Sequence, residues 1–323
     1  MEEKIELNKV RDFSGVFSDA VRFIKQNFRG IGKSIAVIVA PVYTLATILV
    51  SFLSVRIIDA VNGVSNTYSP YGNAYGREIR ALFLDPALWL VLLVYFSAFV
   101  LAFSVIFAYT KLYGEKELHE TITPNEVWQY TWRKSLKFLG YFIIYFIIFF
   151  IGYLLLMMAL TLIGFVPIIG PIIMVFVLLG LFVGVYTFFT VLVPVIYYEE
   201  EGIMESLGRT FSLLKGSFWQ TLLINIVAYI LVQAVAWGFY FVFMQLFLTG
   251  SIGVEKFDIN TLKIIFIIFF ALTPIAMFFA YLFQYSISSF NYFSLLEKRD
   301  HVGLKKKVNA INEGDLDKPT EEF

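Results

Sequence analysis

The side chains able to do chemistry in this chain are few and unevenly placed. Glu199, Glu200 and Glu201 form a run of carboxylates; it could hold a divalent cation, or form a solvated acidic turn with no second ligand group beside it. His119 and His301 lie in polar segments with no ligand or catalytic spacing around either, so no chemistry is assigned to them. The chain has no Cys, which excludes disulfides, thiolate metal sites and a cysteine nucleophile. The remaining polar candidates are uncharged. Asn225 and Gln233 stand in one apolar segment, and Thr273, Gln284, Ser288 and Asn291 in another, where these four fall within about 60 degrees on a helical wheel with Tyr281 at their border. That stripe could line a cytoplasm-facing cavity for a lipid headgroup or small solute, or it could pack against a neighbouring helix. No general base, nucleophile cluster or metal set accompanies it, so neither an enzyme nor a cofactor is expected.

The elements that must position these residues are apolar. Residues 34–55, 87–110, 138–163, 172–197, 217–248 and 264–291 contain no Asp, Glu, Lys, Arg or His, and the whole chain is 59% hydrophobic with a mean hydropathy of +0.76. A charge at mid-bilayer costs about 2.5 to 3.5 kcal/mol, and each segment is long enough to cross roughly 30 Å of hydrocarbon. The expected fold is therefore an all-α polytopic bundle of six transmembrane helices. The net charge is zero, with 25 basic and 25 acidic residues, so no bulk field recruits nucleic acid.

Charge distribution orients the bundle. The two termini with the second and fourth loops hold 20 Lys and Arg, and the opposite loops hold 5. By the positive-inside rule the termini are cytoplasmic. The chain divides into a cytoplasmic segment 1–33, a membrane domain 34–296 and a disordered cytoplasmic tail 297–323, whose Lys305, Lys306 and Lys307 could touch anionic lipid.

Amphipathic helices precede the first, third and fifth spans. Phe13, Val16, Phe17, Ala20, Val21, Ile24 and Phe28 oppose Asp19, Arg22, Lys25, Gln26 and Arg29; Trp128, Trp132, Ser135 and Leu139 oppose Gln129, Arg133, Lys134 and Lys137; Met204, Leu207, Phe211, Leu214 and Phe218 oppose Glu205, Arg209, Ser212 and Lys215. The second opens on a capping box, Thr123-Pro124-Asn125-Glu126, and Glu205 precedes Arg209 by one favourable helical interval. Such helices suit the bilayer interface, and the order interfacial helix, span, outer loop, span occurs three times as a parallel pseudo-repeat of pattern. Asp85-Pro86 reads as a helix start, Gly164–Pro171 as a tight hairpin and 56–86 as an outer loop whose Tyr68, Tyr71 and Tyr75 suit an interfacial belt. Gly180 and Gly184, like Ala234 and Gly238, indicate close helix contact, within the chain or with a second copy. Pro41 and Pro274 predict kinks.

The run Val193-Pro194-Val195-Ile196-Tyr197-Tyr198-Glu199-Glu200-Glu201-Gly202, with Ser206-Leu207-Gly208-Arg209-Thr210-Phe211-Ser212-Leu213-Leu214-Lys215-Gly216-Ser217-Phe218-Trp219, resembles the membrane domain of bacterial glycerophosphodiester phosphodiesterases and its stand-alone relatives. Glu199, Arg209, Lys215, Gly216 and Trp219 match that pattern, while Thr210 stands for the usual Ser and Ser206-Leu207 for the usual Ala-Leu. The motif covers about 27 residues, and the six-span layout extends the likeness over most of the chain. The soluble catalytic barrel of the phosphodiesterases has no room here, so the resemblance implies a membrane module of the bacterial cytoplasmic membrane without that activity. Glu199, Arg209, Lys215 and Trp219 are the candidate interaction residues; Asn225, Gln233, Thr273, Gln284, Ser288 and Asn291 are the candidate cavity lining. The expected function is a non-enzymatic scaffold or regulatory subunit acting on a protein partner through the cytoplasmic helices, the alternative being a passive transporter or lipid-handling protein. Membrane lipids are expected partners in either case.

Overall fold

The computed structural model describes residues 3–66, 84–117, 120–164, 169–199, 201–252 and 258–312, and among these every regular element is a helix. The order is α1 (Phe13–Ile38), α2 (Ala40–Asn66), α3 (Pro86–Glu115), α4 (Pro124–Gly164), α5 (Ile169–Tyr198), α6 (Ile203–Leu214), α7 (Phe218–Ile252), α8 (Ile259–Asp300) and α9 (Val302–Asn312). Local chemistry starts several of them. Asp12 caps α1 by accepting from Gly15 N at 2.7 Å, and Asp85 caps α3 by accepting from Ala87 N at 2.8 Å ahead of Pro86. Before α4 the capping box closes in both directions, Thr123 N donating to Glu126 Oε2 at 2.8 Å and Glu126 N to Thr123 Oγ1 at 3.4 Å.

Four helices, α3, α4, α5 and α7, are long and apolar enough to cross a membrane, and α1 with α2 counts as a fifth if the bent pair is one span. The 52° bend falls after Ile38, two residues before Pro41. A proline lacks the N–H that would continue the ladder and disfavours helical geometry at the residue before it. Near a helix start neither defect matters, so α2 begins there.

Helix boundaries follow backbone chemistry rather than polarity, and this corrects the expected three separate interfacial helices. Only the third is separate. There Gly216, at φ +80°, turns the chain between α6 and α7. The first amphipathic stretch runs unbroken through Lys33 to Ile38, and the second forms the opening turns of the 41-residue α4. The segment 297–323 is also corrected in part: residues to Asp300 complete α8, His301 adopts a left-handed conformation, and Val302–Asn312 is helical. Glu297 explains the second helix start, its carboxylate accepting from the backbone N of Gly303 and Leu304. Likewise α2 extends to Asn66 where a loop was expected from 56; Tyr68, Tyr71, Tyr75, Glu200, His119 and residues 165–168 of the hairpin lie outside the described residues.

Packing is densest at the end of the bundle that carries the charged segments. Phe23 of α1 meets Tyr109 and Tyr113 of α3 and Phe290 of α8 edge-on, and Phe107 of α3 meets Tyr197 and Tyr198 of α5. The N-terminal strap before α1 is tied to this core. Buried Arg11 pairs with Asp19 at 2.7 Å, donates to the carbonyl of Leu7 and lies over the Phe290 ring, while its backbone N donates to Ser294 Oγ. Toward the opposite end α4 and α5 turn Ile, Leu, Phe and Met outward, and only 6% and 11% of their most apolar windows are buried, against 50% for the central α3. Apolar area of that extent in water would drive association; hydrocarbon covers it at no cost.

Candidate functional site

The expected interaction residues divide into two pairs. Glu199, just past α5, accepts from Arg209 Nε of α6 at 2.8 Å and from the Tyr292 hydroxyl of α8 at 2.7 Å. Arg209 also binds the Asp300 carboxylate at the end of α8. Glu199 and Arg209 are thus a clamp joining three helices rather than a free surface, and the guanidinium holds the Asp300 carboxyl below its ordinary pKa. Arg209 takes these partners across the fold instead of the neighbouring Glu205, which folds back against Gly202. Glu201 behaves differently: burial and nearby Glu199 push its carboxyl pKa up. No group of three metal-binding side chains forms among the described residues. Lys215 and Trp219 are exposed, Trp219 at 74%, on the rim that also shows Trp128, Trp132, Met204 and Phe211.

The uncharged candidates converge further down the bundle. A cavity of about 290 Å³ lies between α5, α7 and α8, closed on its inner side by Phe107, and Gln233, Gln284 and Ser288 are in its wall. Tyr281, expected at the border of the stripe, lines it too. Asn225 is 1% exposed and stands behind the wall, where its Nδ2 donates to Thr190 Oγ1 at 2.6 Å. Thr273 and Asn291 are corrections. Thr273 donates to its own helix at Phe269 O and Asn291 is buried, and neither lines the cavity. They lie 11 residues before and 7 after Gln284, about 16 and 10 Å along the axis at 1.5 Å per residue, so the stripe outruns the cavity at both ends.

A proline organises this wall. Pro194 sits inside α5 and has no N–H to offer the carbonyl four residues back, that of Thr190. Ser288 Oγ of α8 takes the vacant place, donating to Thr190 O at 2.7 Å. Thr190 in turn donates its hydroxyl proton to Thr187 O at 2.7 Å, so it must accept from Asn225. The carboxamide of Gln284 donates to the Tyr186 hydroxyl at 3.0 Å, and that of Gln233 to the Tyr229 hydroxyl at 3.0 Å. Buried Gln284 Oε1 and Asn225 Oδ1 accept no hydrogen bond among the described residues. Tyr186, Thr190 and Tyr229 were missed in the sequence, although each interrupts an otherwise apolar run one helical turn from another polar residue.

A larger groove, about 490 Å³, opens at the charged end between the strap, α3 and α9. Two of its four lysines are paired with its two carboxylates, Lys307 with Glu6 at 3.1 Å and Lys111 with Glu115 at 3.6 Å, and Lys4 donates to the carbonyl of Lys116. It is a mixed-charge surface groove and selects no ligand chemistry. Gly180 and Gly184 meet no other helix: a Cβ at either would have open space around it. Comparison with family models, with curated proteins and with solved structures finds no match for this chain.

Proposed function

We propose that this chain is a non-catalytic, multi-pass membrane protein that holds a small amphiphile, drawn from the surrounding lipid, in the cavity between α5, α7 and α8. The observation that carries this reading is the cavity wall itself. It combines hydroxyls and carboxamides with aromatic faces, and no charged residue is in it. Ligand sites are typically mostly apolar with a few placed polar groups. Tyr229, 43% exposed, forms the outer edge beside the outward-facing Ile226 and Ile230, which favours entry from acyl chains rather than from water. The uncharged lining supports passive binding, because coupling to ions or protons would call for ionisable groups at this depth.

The scaffold reading ranks second because Glu199 and Arg209 are engaged within the chain. Lys215 and Trp219 remain its support. The charge asymmetry favours six spans with both termini in the cytoplasm, in a bacterial inner membrane on the resemblance noted above. The aromatic rim around Trp128, Trp132 and Trp219 suits the cytoplasmic interface, and the three amphipathic stretches support reading the chain as a parallel pseudo-repeat of pattern. A second copy would find Gly180 and Gly184 open to close packing.

Native mass spectrometry of the full chain released from mild detergent tests the reading. A lipid-mass adduct should persist through delipidating washes and disappear when the cavity is filled by Met277→Trp. Loss of every adduct from the parent chain, or an adduct indifferent to the filled cavity, would refute it.

A further inference from the structure

Hydrogen-bond direction and the shape of the neighbouring space narrow the ligand class, an inference that rests on the lipid-binding reading above. The protons of two wall hydroxyls are already committed inward, Ser288 to Thr190 O and Thr190 to Thr187 O. That leaves Ser288 Oγ as an acceptor in the cavity wall, while Thr190 Oγ1 already accepts from Asn225. Gln284, also in the wall, holds a second acceptor, the buried Oε1 that has no partner among the described residues. A buried acceptor left unpaired is costly, so a well-matched occupant brings a donor. The phenols of Tyr186 and Tyr229 accept from the two carboxamides and donate to no atom among the described residues, which leaves their protons for a ligand carbonyl.

Behind this polar space lies a second, apolar cavity of about 140 Å³ between α3, α4 and α5. Phe189, Val193 and Tyr285 belong to the walls of both. The apolar space is lined almost wholly by aromatic and aliphatic side chains, among them Phe96, Phe103 and Phe142. The pair of cavities thus offers a polar chamber with an adjoining slot for hydrocarbon. The polar chamber has room for on the order of ten water-sized groups, which is about the size of a glycerol backbone with its ester groups.

We infer that the ligand is a neutral lipid carrying a free hydroxyl beside ester carbonyls, of the diacylglycerol class, with the hydroxyl donating its one proton to Gln284 Oε1 and the carbonyls accepting from Tyr186 and Tyr229. A phosphate headgroup would enter a wall without one cation to meet it, against a heavy desolvation cost. A quinone or a fully esterified glycerol brings acceptors only and leaves Gln284 Oε1 unpaired.

The test uses the full chain in lipid nanodiscs and three photoactivatable probes with identical diazirine acyl chains: a 1,2-diacylglycerol, its 3-O-acetyl derivative and the corresponding phosphatidic acid. The diacylglycerol should label peptides of α5, α7 and α8, and unlabelled diacylglycerol should compete at about tenfold lower concentration than either comparator. Gln284→Leu should remove that advantage while leaving total labelling by acyl chains in place. The ligand-side comparison stands even if the variant misfolds. Equal competition by the acetylated lipid or the phosphatidic acid, with labelling still at the cavity, overturns the hydroxyl-donor inference and leaves the lipid-binding reading intact. Absence of cavity labelling by all three probes overturns both.

Discussion

Pro194 and Ser288 lie on different helices, yet their effects on stability should be coupled. In the parent chain Ser288→Ala removes the hydroxyl that donates to the partly buried carbonyl of Thr190, whose ladder donor would have been the N–H that Pro194 lacks. The penalty for such a group is about 1 to 3 kcal/mol in soluble proteins, and interhelical bonds in membranes run lower, about 0.6 kcal/mol on average and 1.7 at most. A cost of about 1 to 1.5 kcal/mol is expected. Pro194→Ala restores the backbone N–H four residues after Thr190, so the ladder satisfies the same carbonyl. In that background Ser288→Ala removes a redundant bond and should cost only about 0.3 to 0.5 kcal/mol, giving a coupling of about 1 kcal/mol. The assay is a denaturing-detergent titration in mixed micelles, followed by the fluorescence of the chain's five tryptophans across the four members of the cycle. If Ser288→Ala costs the same with and without the proline, the hydroxyl is not standing in for the missing N–H and the account of the wall fails.

Two further outcomes are expected. Arg209→Gln strips Glu199 and Asp300 of their shared cation; with these groups only partly exposed, the loss should be about 1.5 to 3 kcal/mol in the same titration. The Asp300 carboxyl has a folded pKa below its ordinary value of 3.8, so its stabilisation is present above that value and fades as pH falls through the lower folded one; the acid limb should flatten in Arg209→Gln. A parent-like stability and acid limb would contradict the clamp. Because the chain has no Cys, a thiol at Ser212 should react with a membrane-impermeant maleimide only after permeabilisation, and one at Ser69 in intact cells. The reverse pattern would invert the topology.

What the residues alone determined is the apolar, helical, multi-pass character, the caps at Asp85 and Thr123, and the uncharged stripe of α8. All of these rest on local rules: the cost of charge in hydrocarbon, the need to cap free N–H groups, and a period of 3.6 residues. Pro41 was legible as an interruption, though its role as a helix start depends on how α1 and α2 diverge. Only the tertiary structure decided which polar residues meet. Glu199 and Arg209 match a surface motif, yet they are drawn inward because Asp300 and Tyr292, about 90 residues further along, complete the clamp. Gln284 and Ser288 gain a cavity while Thr273 and Asn291 do not, since a helical wheel gives direction around the axis but no depth along it. At the depth of the cavity Pro194 leaves the Thr190 carbonyl without its ladder N–H, and Ser288 of α8 donates to it there. A bond that a residue cannot make becomes visible only when another segment of the chain makes it instead.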